Sequence, residues 1–183
     1  MAWIEGVQKR PKKISHEKEW DRQYALQGFL EEDRARAELF KFLRNNLSIT
    51  AELLMGVKLF PYQHILCKTN METDFALNII SRGGGKSWVA AVLIGLHALM
   101  NPGVKIGILS SSFKQAKRIF QYLEDIAEKP EAQLFRDCIT KVEHRNDEWV
   151  MQIGRSKVHA LPLGDATRLR GYRFNCIVID ELL

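Results

Sequence analysis

The sequence predicts an α/β fold, a mainly parallel sheet flanked by helices and preceded by a helical arm, and three observations carry that prediction. First, an apolar run with the length and composition of a buried strand, Phe75 to Ile80, meets a glycine triplet and Lys86-Ser87, and a long apolar helix pattern follows from Trp88 to Met100. Second, Val104 to Leu109 and Phe113 to Ala127 repeat strand then helix, and β-α-β-α order is the signature of parallel strands with right-handed crossovers. Third, Cys176 to Asp180 is a short apolar strand that closes on two carboxylates, Asp180 and Glu181.

The bulk numbers suit one domain with a real core and an appended arm: 183 residues, 46% hydrophobic, 27% charged. A formal net charge of +5 permits an anionic partner without demanding one. Cys67, Cys138 and Cys176 are far apart, with neither metal-ligand spacing nor a disulfide framework, which suits a reducing cytoplasm. His16, His64, His97, His144 and His159 are equally scattered and read as structural or surface residues. The start lacks a secretory apolar region, and Trp88 to Met100 is too short to span a bilayer, so a soluble intracellular protein without a membrane partner is expected.

Taken in order, the chain opens with Lys9-Arg-Pro-Lys-Lys13, either a DNA- or partner-touching cluster or a solvated tail. From Ser15 the pattern turns helical, with Leu39, Phe40, Phe42 and Leu43 as an apolar face and a stop at Asn45-Asn46. A shorter helix, Ser48 to Met55, ends at Gly56, and residues 1–58 read as the arm and 59–183 as the core. Pro61 then starts a helix with Tyr62 and Gln63 in its first turn. A glutamine amide there can pair in bidentate fashion with adenine, and the neighbouring ring can stack on the base. Past the glycine loop and its helix, Lys114, Lys117 and Arg118 stand in the first turns of the helix from Phe113, either against a phosphate backbone or in solvent. Ile139 to Val142, Trp149 to Ile153 and Lys157 to Leu161 read as short strands in adjacent hairpins, an antiparallel insertion or edge. A polar, arginine-rich loop, Gly164 to Gly171, precedes the last strand.

Strand, glycine loop, Lys-Ser and helix is an architecture that cradles a nucleoside triphosphate. Glycine backbone at Gly83, Gly84 and Gly85 approaches phosphate oxygens without a Cβ in the way, and the helix N-terminus adds N–H groups and a positive dipole end. Lys86 reaches for the β- and γ-phosphates, and the Ser87 hydroxyl is a ligand for Mg²⁺. The usual pattern has a glycine where Ile80 stands, so a plain glycine-rich turn is the competing reading. Asp180 and Glu181 weigh against it. An acid ending a buried strand is where the Mg²⁺ of a phosphate-loop enzyme is held, and its neighbour can polarise a water.

Leu59-Phe-Pro-Tyr-Gln63, Ser81-Arg-Gly-Gly-Gly-Lys-Ser87, Ser112-Phe-Lys-Gln-Ala-Lys117, Leu169-Arg-Gly171 and Ile177-Val-Ile-Asp-Glu181 occur in this order. Together, over about residues 59–183, they resemble the ATPase domain of the large terminase subunit of tailed bacteriophages, the DNA-packaging motor. That family commonly lacks the first glycine and carries a basic residue where Arg82 stands. The resemblance implies a P-loop NTPase of ASCE/RecA-like type that uses ATP and Mg²⁺. In it, Gln63 with Tyr62 meets adenine, the loop Ser81–Ser87 holds phosphate, and Ser87 with Asp180 holds Mg²⁺. Glu181 activates water, and Arg170 is inserted into a neighbour's site, with Arg82 a rival from within the loop and a plain loop-anchoring role also open for Arg170. It further implies double-stranded DNA, a ring of like subunits, a portal and a small terminase subunit as partners, in the cytoplasm of a bacterial host. The family's sheet continues beyond its acidic strand into a coupling segment and a nuclease domain. Since the sequence ends at Leu183, an N-terminal piece with an incomplete core and no nuclease activity is the expectation. Two alternatives stay open: a helicase-type ATPase, whose loops usually read Thr-Gly-x-Gly-Lys-Thr, and a non-hydrolysing nucleotide-binding or assembly fragment.

Overall fold

The computed structural model describes residues 32–163 and 169–180. The Lys9–Lys13 cluster, the helical start at Ser15, most of the Gly164–Gly171 loop and Glu181 therefore lie outside the described residues. The chain divides into two compact units, Met1–Phe42 and Leu43–Leu183. In the first, residues 32–42 belong to helix α1 (32–45), whose Arg36 pairs with Glu32 one turn away at 3.4 Å and whose Leu39, Phe40 and Phe42 are exposed.

The second unit carries the chemistry-bearing residues. Helix α2 (Leu47–Met55) ends on Gly56, whose left-handed backbone lets Gly56 and Val57 donate back to Glu52 and Ala51. Helix α3 (Pro61–Glu72) starts at the proline, and α4 (Lys86–Met100) starts at the lysine of the glycine loop. Strand β1 (Lys105–Ser110) leads into α5 (Phe113–Glu128), capped by the Ser112 side chain. A single 3₁₀ turn (Pro130–Ala132) and a short helix α6 (Gln133–Cys138), neither foreseen from the sequence, then precede β2 (Ile139–His144). Strands β3 (Trp149–Ile153), β4 (Ser156–Pro162) and β5 (Cys176–Asp180) complete a five-stranded sheet in the order β2-β3-β4-β1-β5.

The sheet is mixed, not mainly parallel. Strand β1 pairs in parallel with β4 and β5, whereas β2, β3 and β4 pair antiparallel. Short connections dictate the second half: the turns at residues 145–148 and 154–155 are too tight for a crossover, so they only close hairpins. One sheet face, with Ile106, Ile108, Met151 and Val158, packs on Ile94 of α4 and on Ile119, Phe120 and Leu123 of α5. On the opposite face, register aligns Lys141, Gln152 and Lys157 across β2, β3 and β4, and His159 follows Lys157 on that face of β4. Tyr172 and Phe174, stacked with centroids 5.3 Å apart, run as a strap across this face, and Asn175 exchanges hydrogen bonds with Lys105 at 2.8 and 2.9 Å.

A second correction concerns Phe75–Ile80, expected as a buried strand. The run belongs to no strand, and Phe75, Leu77 and Ile79 are 92%, 82% and 91% exposed. A strand is a pairing, and here the composition has no ladder to join. The run faces the β5 edge across a groove, with Leu77 and Ile80 on one side and Ile177 and Ile179 on the other. Asn78 instead ties it to α3 through a two-way amide pair with Asn70, at 2.9 and 3.2 Å.

Candidate functional site

The glycine loop is built from backbone that only glycine adopts without strain. Gly83 and Gly85 have φ of 85° and 69°, in the left-handed region, and the Gly84 N–H closes a turn onto the Ser81 carbonyl at 3.1 Å. Gly85 is the residue at the N-cap of α4, and no side chain caps that end. The first-turn N–H groups and the positive end of a 15-residue helix therefore face the loop, which is an anion-binding arrangement. Lys86, the first helical residue, borders the groove between α4 and β5, as does Asp180.

Across this groove mouth the structure joins two distant stretches. The Ser87 hydroxyl donates to Asp180 Oδ2 at 3.1 Å. Asp180 arrives there because β5 runs parallel to β1, in register with Ser110, so that both strands end together. The Ser110 hydroxyl lies 2.6 Å from the Asp180 carbonyl and braces the strand end. Gln115 Oε1 in turn sits within 3.0 Å of the Ser110, Ser111 and Ser112 hydroxyls, which ties the first turn of α5 to the same corner. Ser110 and Gln115 were given no role from the sequence, although Ser110 opens a serine run between a strand and a helix and Gln115 lies within the Ser112–Lys117 motif.

Two hard oxygens 3.1 Å apart also suit a divalent cation. Neighbouring ligands of an octahedral Mg²⁺, with bonds of about 2.0–2.1 Å, stand roughly 2.9 Å from one another. The donor set therefore fits the ion inferred from the sequence, with water and phosphate oxygens needed for its other positions.

Tyr62 and Gln63 approach the loop from α3. Gln63 is 5% exposed, and its Oε1 accepts the Phe60 N–H at 2.9 Å, closing the N-terminus of α3. Its Nε2 donates to the Tyr62 hydroxyl at 3.1 Å, and that hydroxyl donates to the Gly84 carbonyl at 3.2 Å. The amide expected to read a base is thus already engaged at both ends. Phe60 and Tyr62 form an exposed pair of near-parallel rings, 6.5 Å apart, beside it.

Neither arginine is hydrogen-bonded to the Ser87–Asp180 pair. Arg82 is exposed in the loop, and Arg170 is exposed in the turn that Tyr172 N–H closes onto the Leu169 carbonyl at 3.1 Å. Neither makes an ion pair or hydrogen bond among the described residues. Arg170 leads directly into the strap, where Tyr172 donates to Glu148 at 2.9 Å, the same carboxylate that meets His159 Nδ1 at 2.7 Å. Burial, with Glu148 alongside, raises the Tyr172 phenol above its ordinary range. In the groove wall, burial pushes the Cys67 thiol up to about 11, and Cys176 in β5 moves the same way, so neither is a ready nucleophile. No described helix is long and apolar enough to cross a membrane.

Comparison with known proteins gives the chain a family. The family model of the N-terminal region of the T4likevirus-type terminase large subunit matches residues 78–183, more than half the chain and every described element from α4 onward. No curated protein matches the chain. The matched stretch contains the glycine loop, Lys86, Ser87, the β1–α5 corner and Asp180, and the chain belongs to the terminase large subunit family, whose role is the packaging of phage DNA.

Proposed function

We propose that the chain is the ATP-hydrolysing part of a DNA-packaging motor, working in the cytoplasm of the phage's bacterial host and coupling hydrolysis to translocation of double-stranded DNA into a capsid. The observation that carries this reading is the Ser87–Asp180 contact, 3.1 Å across 93 residues of sequence. It places a hydroxyl at the start of α4 and a carboxylate at the end of β5 around one point, as a P-loop fold does for Mg²⁺ and triphosphate. The mixed sheet is compatible, because the strands that bear on the site, β1 and β5, are its parallel pair.

In this reading, backbone N–H groups of residues 83–87 and the Lys86 ammonium bind the β- and γ-phosphates. Ser87 and Asp180 hold Mg²⁺, which would neutralise charge developing on the transferred phosphoryl group. Glu181, the next residue after β5, takes a proton from the attacking water. A guanidinium from Arg170 of a neighbouring subunit, or from Arg82 of the same loop, stabilises the equatorial oxygens, an effect worth about 10³–10⁵ in rate in related chemistry. A trans-acting arginine needs a ring, and the ring's partners are double-stranded DNA, a portal and a small terminase subunit.

Steady-state ATP hydrolysis against protein concentration tests this, with Glu181→Gln as control. Specific activity that rises with concentration and is lost in E181Q supports the proposal and favours Arg170. Activity independent of concentration favours Arg82. Turnover unchanged in E181Q would remove the assigned base.

A further inference from the structure

The loop's geometry contains a device separate from the groups that touch phosphate. The Gly84–Gly85 peptide is flanked by glycine on both sides, and Gly85 has a φ of 69°, so little in its own chain prevents the peptide plane from rotating. In a trans peptide, the carbonyl of one residue and the N–H of the next point in opposite directions. Fixing the Gly84 carbonyl therefore fixes the Gly85 N–H. What fixes the carbonyl is one side chain: the Tyr62 hydroxyl, at 3.2 Å. That hydroxyl has a single proton to give, and Gln63 Nε2, donating to it at 3.1 Å, ensures that the proton goes to Gly84. Gln63 is held in turn by the Phe60 N–H on its Oε1 at 2.9 Å and by burial to 5% exposure. The Gly85 N–H, pointing away from Tyr62, has no acceptor among the described residues.

We propose that Tyr62 is a positioning residue for the phosphate loop: its hydroxyl keeps the Gly84–Gly85 peptide from flipping, so that the Gly85 N–H is presented to a phosphate oxygen, and Gln63 aims that hydroxyl. This rests on the phosphate-loop reading above. A flipped peptide would present the Gly84 carbonyl to the anion in place of the N–H, exchanging attraction for repulsion. The arrangement also makes the Gln63 amide a shared resource. A base that claims its Nε2 weakens the hold on Tyr62, so base recognition and loop geometry are linked through one side chain.

Tyr62→Phe keeps the ring and removes only the hydroxyl. Its affinity for Mg²⁺–tripolyphosphate, which has no base, should fall about 3- to 10-fold for one hydrogen bond, and its affinity for Mg²⁺–ATP by no more than that. Adenosine affinity should not fall, because the ring is kept and the Gln63 Nε2 is released to a base. In Gln63→Glu the carboxylate still accepts from Phe60 N–H but has no proton for Tyr62, and it draws the hydroxyl from Gly84. Tripolyphosphate affinity should fall by a similar factor, with no further loss in the Y62F/Q63E double variant. Calorimetric titration of the full chain reads all of these, with ligand-free melting temperatures as the folding control. Wild-type affinity of Y62F for tripolyphosphate overturns the inference while leaving the phosphate loop intact. A loss confined to ATP and adenosine also overturns it, by making Tyr62 a base contact only. If the wild-type chain binds neither tripolyphosphate nor ATP, the phosphate-loop reading fails and this inference falls with it.

Discussion

Replacing Ser87 by alanine removes one hydroxyl and no backbone, so its consequences are calculable from the one contact it makes. In the ligand-free protein that contact is a part-buried hydrogen bond to the Asp180 carboxylate at 3.1 Å. A hydrogen bond to a charged group contributes about 1.5–3 kcal/mol, and partial exposure lets water replace some of it, which leaves roughly 1–2 kcal/mol. The compact unit Leu43–Leu183 has an unfolding entropy on the order of 0.3 kcal/mol/K, so each kcal/mol moves the melting temperature by about 3 °C. S87A should therefore melt about 3–6 °C below wild type. Mg²⁺–ATP at 100 times its dissociation constant stabilises the native state by about 2.7 kcal/mol, or roughly 9 °C, and S87A should lose most of that gain. Asp180→Asn separates the two roles. An amide oxygen still accepts from Ser87, so the ligand-free melting temperature should fall by less, while the Mg²⁺-dependent gain should vanish. Differential scanning calorimetry with and without Mg²⁺–ATP measures all of this. If D180N keeps the full Mg²⁺-dependent gain, Asp180 is not the metal's carboxylate.

Other regions of the molecule make their own predictions. Burial, and secondarily Arg44, lowers the His97 imidazole below its ordinary range, so the folded protein binds fewer protons than the unfolded one there. Stability from this residue is complete above about pH 6.5 and is lost as pH falls toward the depressed folded value; denaturant midpoints of His97→Asn should decline less between pH 6.5 and 5 than those of wild type, and parallel curves would contradict this. With its pKa raised to about 11, Cys67 should resist thiol reagents at pH 8 until denaturant is added, and labelling at the rate of an exposed thiol would refute its placement. On β1, a Cβ at Gly107 would stand 3.0 Å from the Phe174 ring, so Gly107→Val should displace the strap behind Arg170 and cost about 1–3 kcal/mol; an unchanged urea midpoint would show that the strap does not bear on the sheet.

The elements that sequence reasoning recovered are those whose signal is local. Helix α5 repeats its buried Ile119, Leu123 and Ile126 at helical spacing, and Ser112 announces its start. Helix α4 is marked by the glycines that only a tight loop requires, and β5 by an apolar run ending in acid. The missed features depend on partners distant in sequence. Phe75–Ile80 has strand composition and no strand beside it. The sheet's mixed pairing was half legible, since the turns around Asp147 and Gly154 announce hairpins but not which strand receives β1. Helix α6 is six residues long, too short for periodicity to declare itself. Within the candidate site, the Ser87–Asp180 contact joins two stretches that the sequence singles out by the chemistry of phosphate and Mg²⁺. The engagement of Gln63 with Phe60 and Tyr62 was not legible, because a buried amide's partners depend on how α3 lies against the loop.

Calorimetric titration of the 183-residue chain with Mg²⁺–ATP, alongside Lys86→Ala, tests the central claim most directly. Saturable one-to-one binding in wild type and its loss in K86A is the predicted result. Equal binding by K86A, or none by wild type, would contradict the assignment of residues 81–87 as a triphosphate loop.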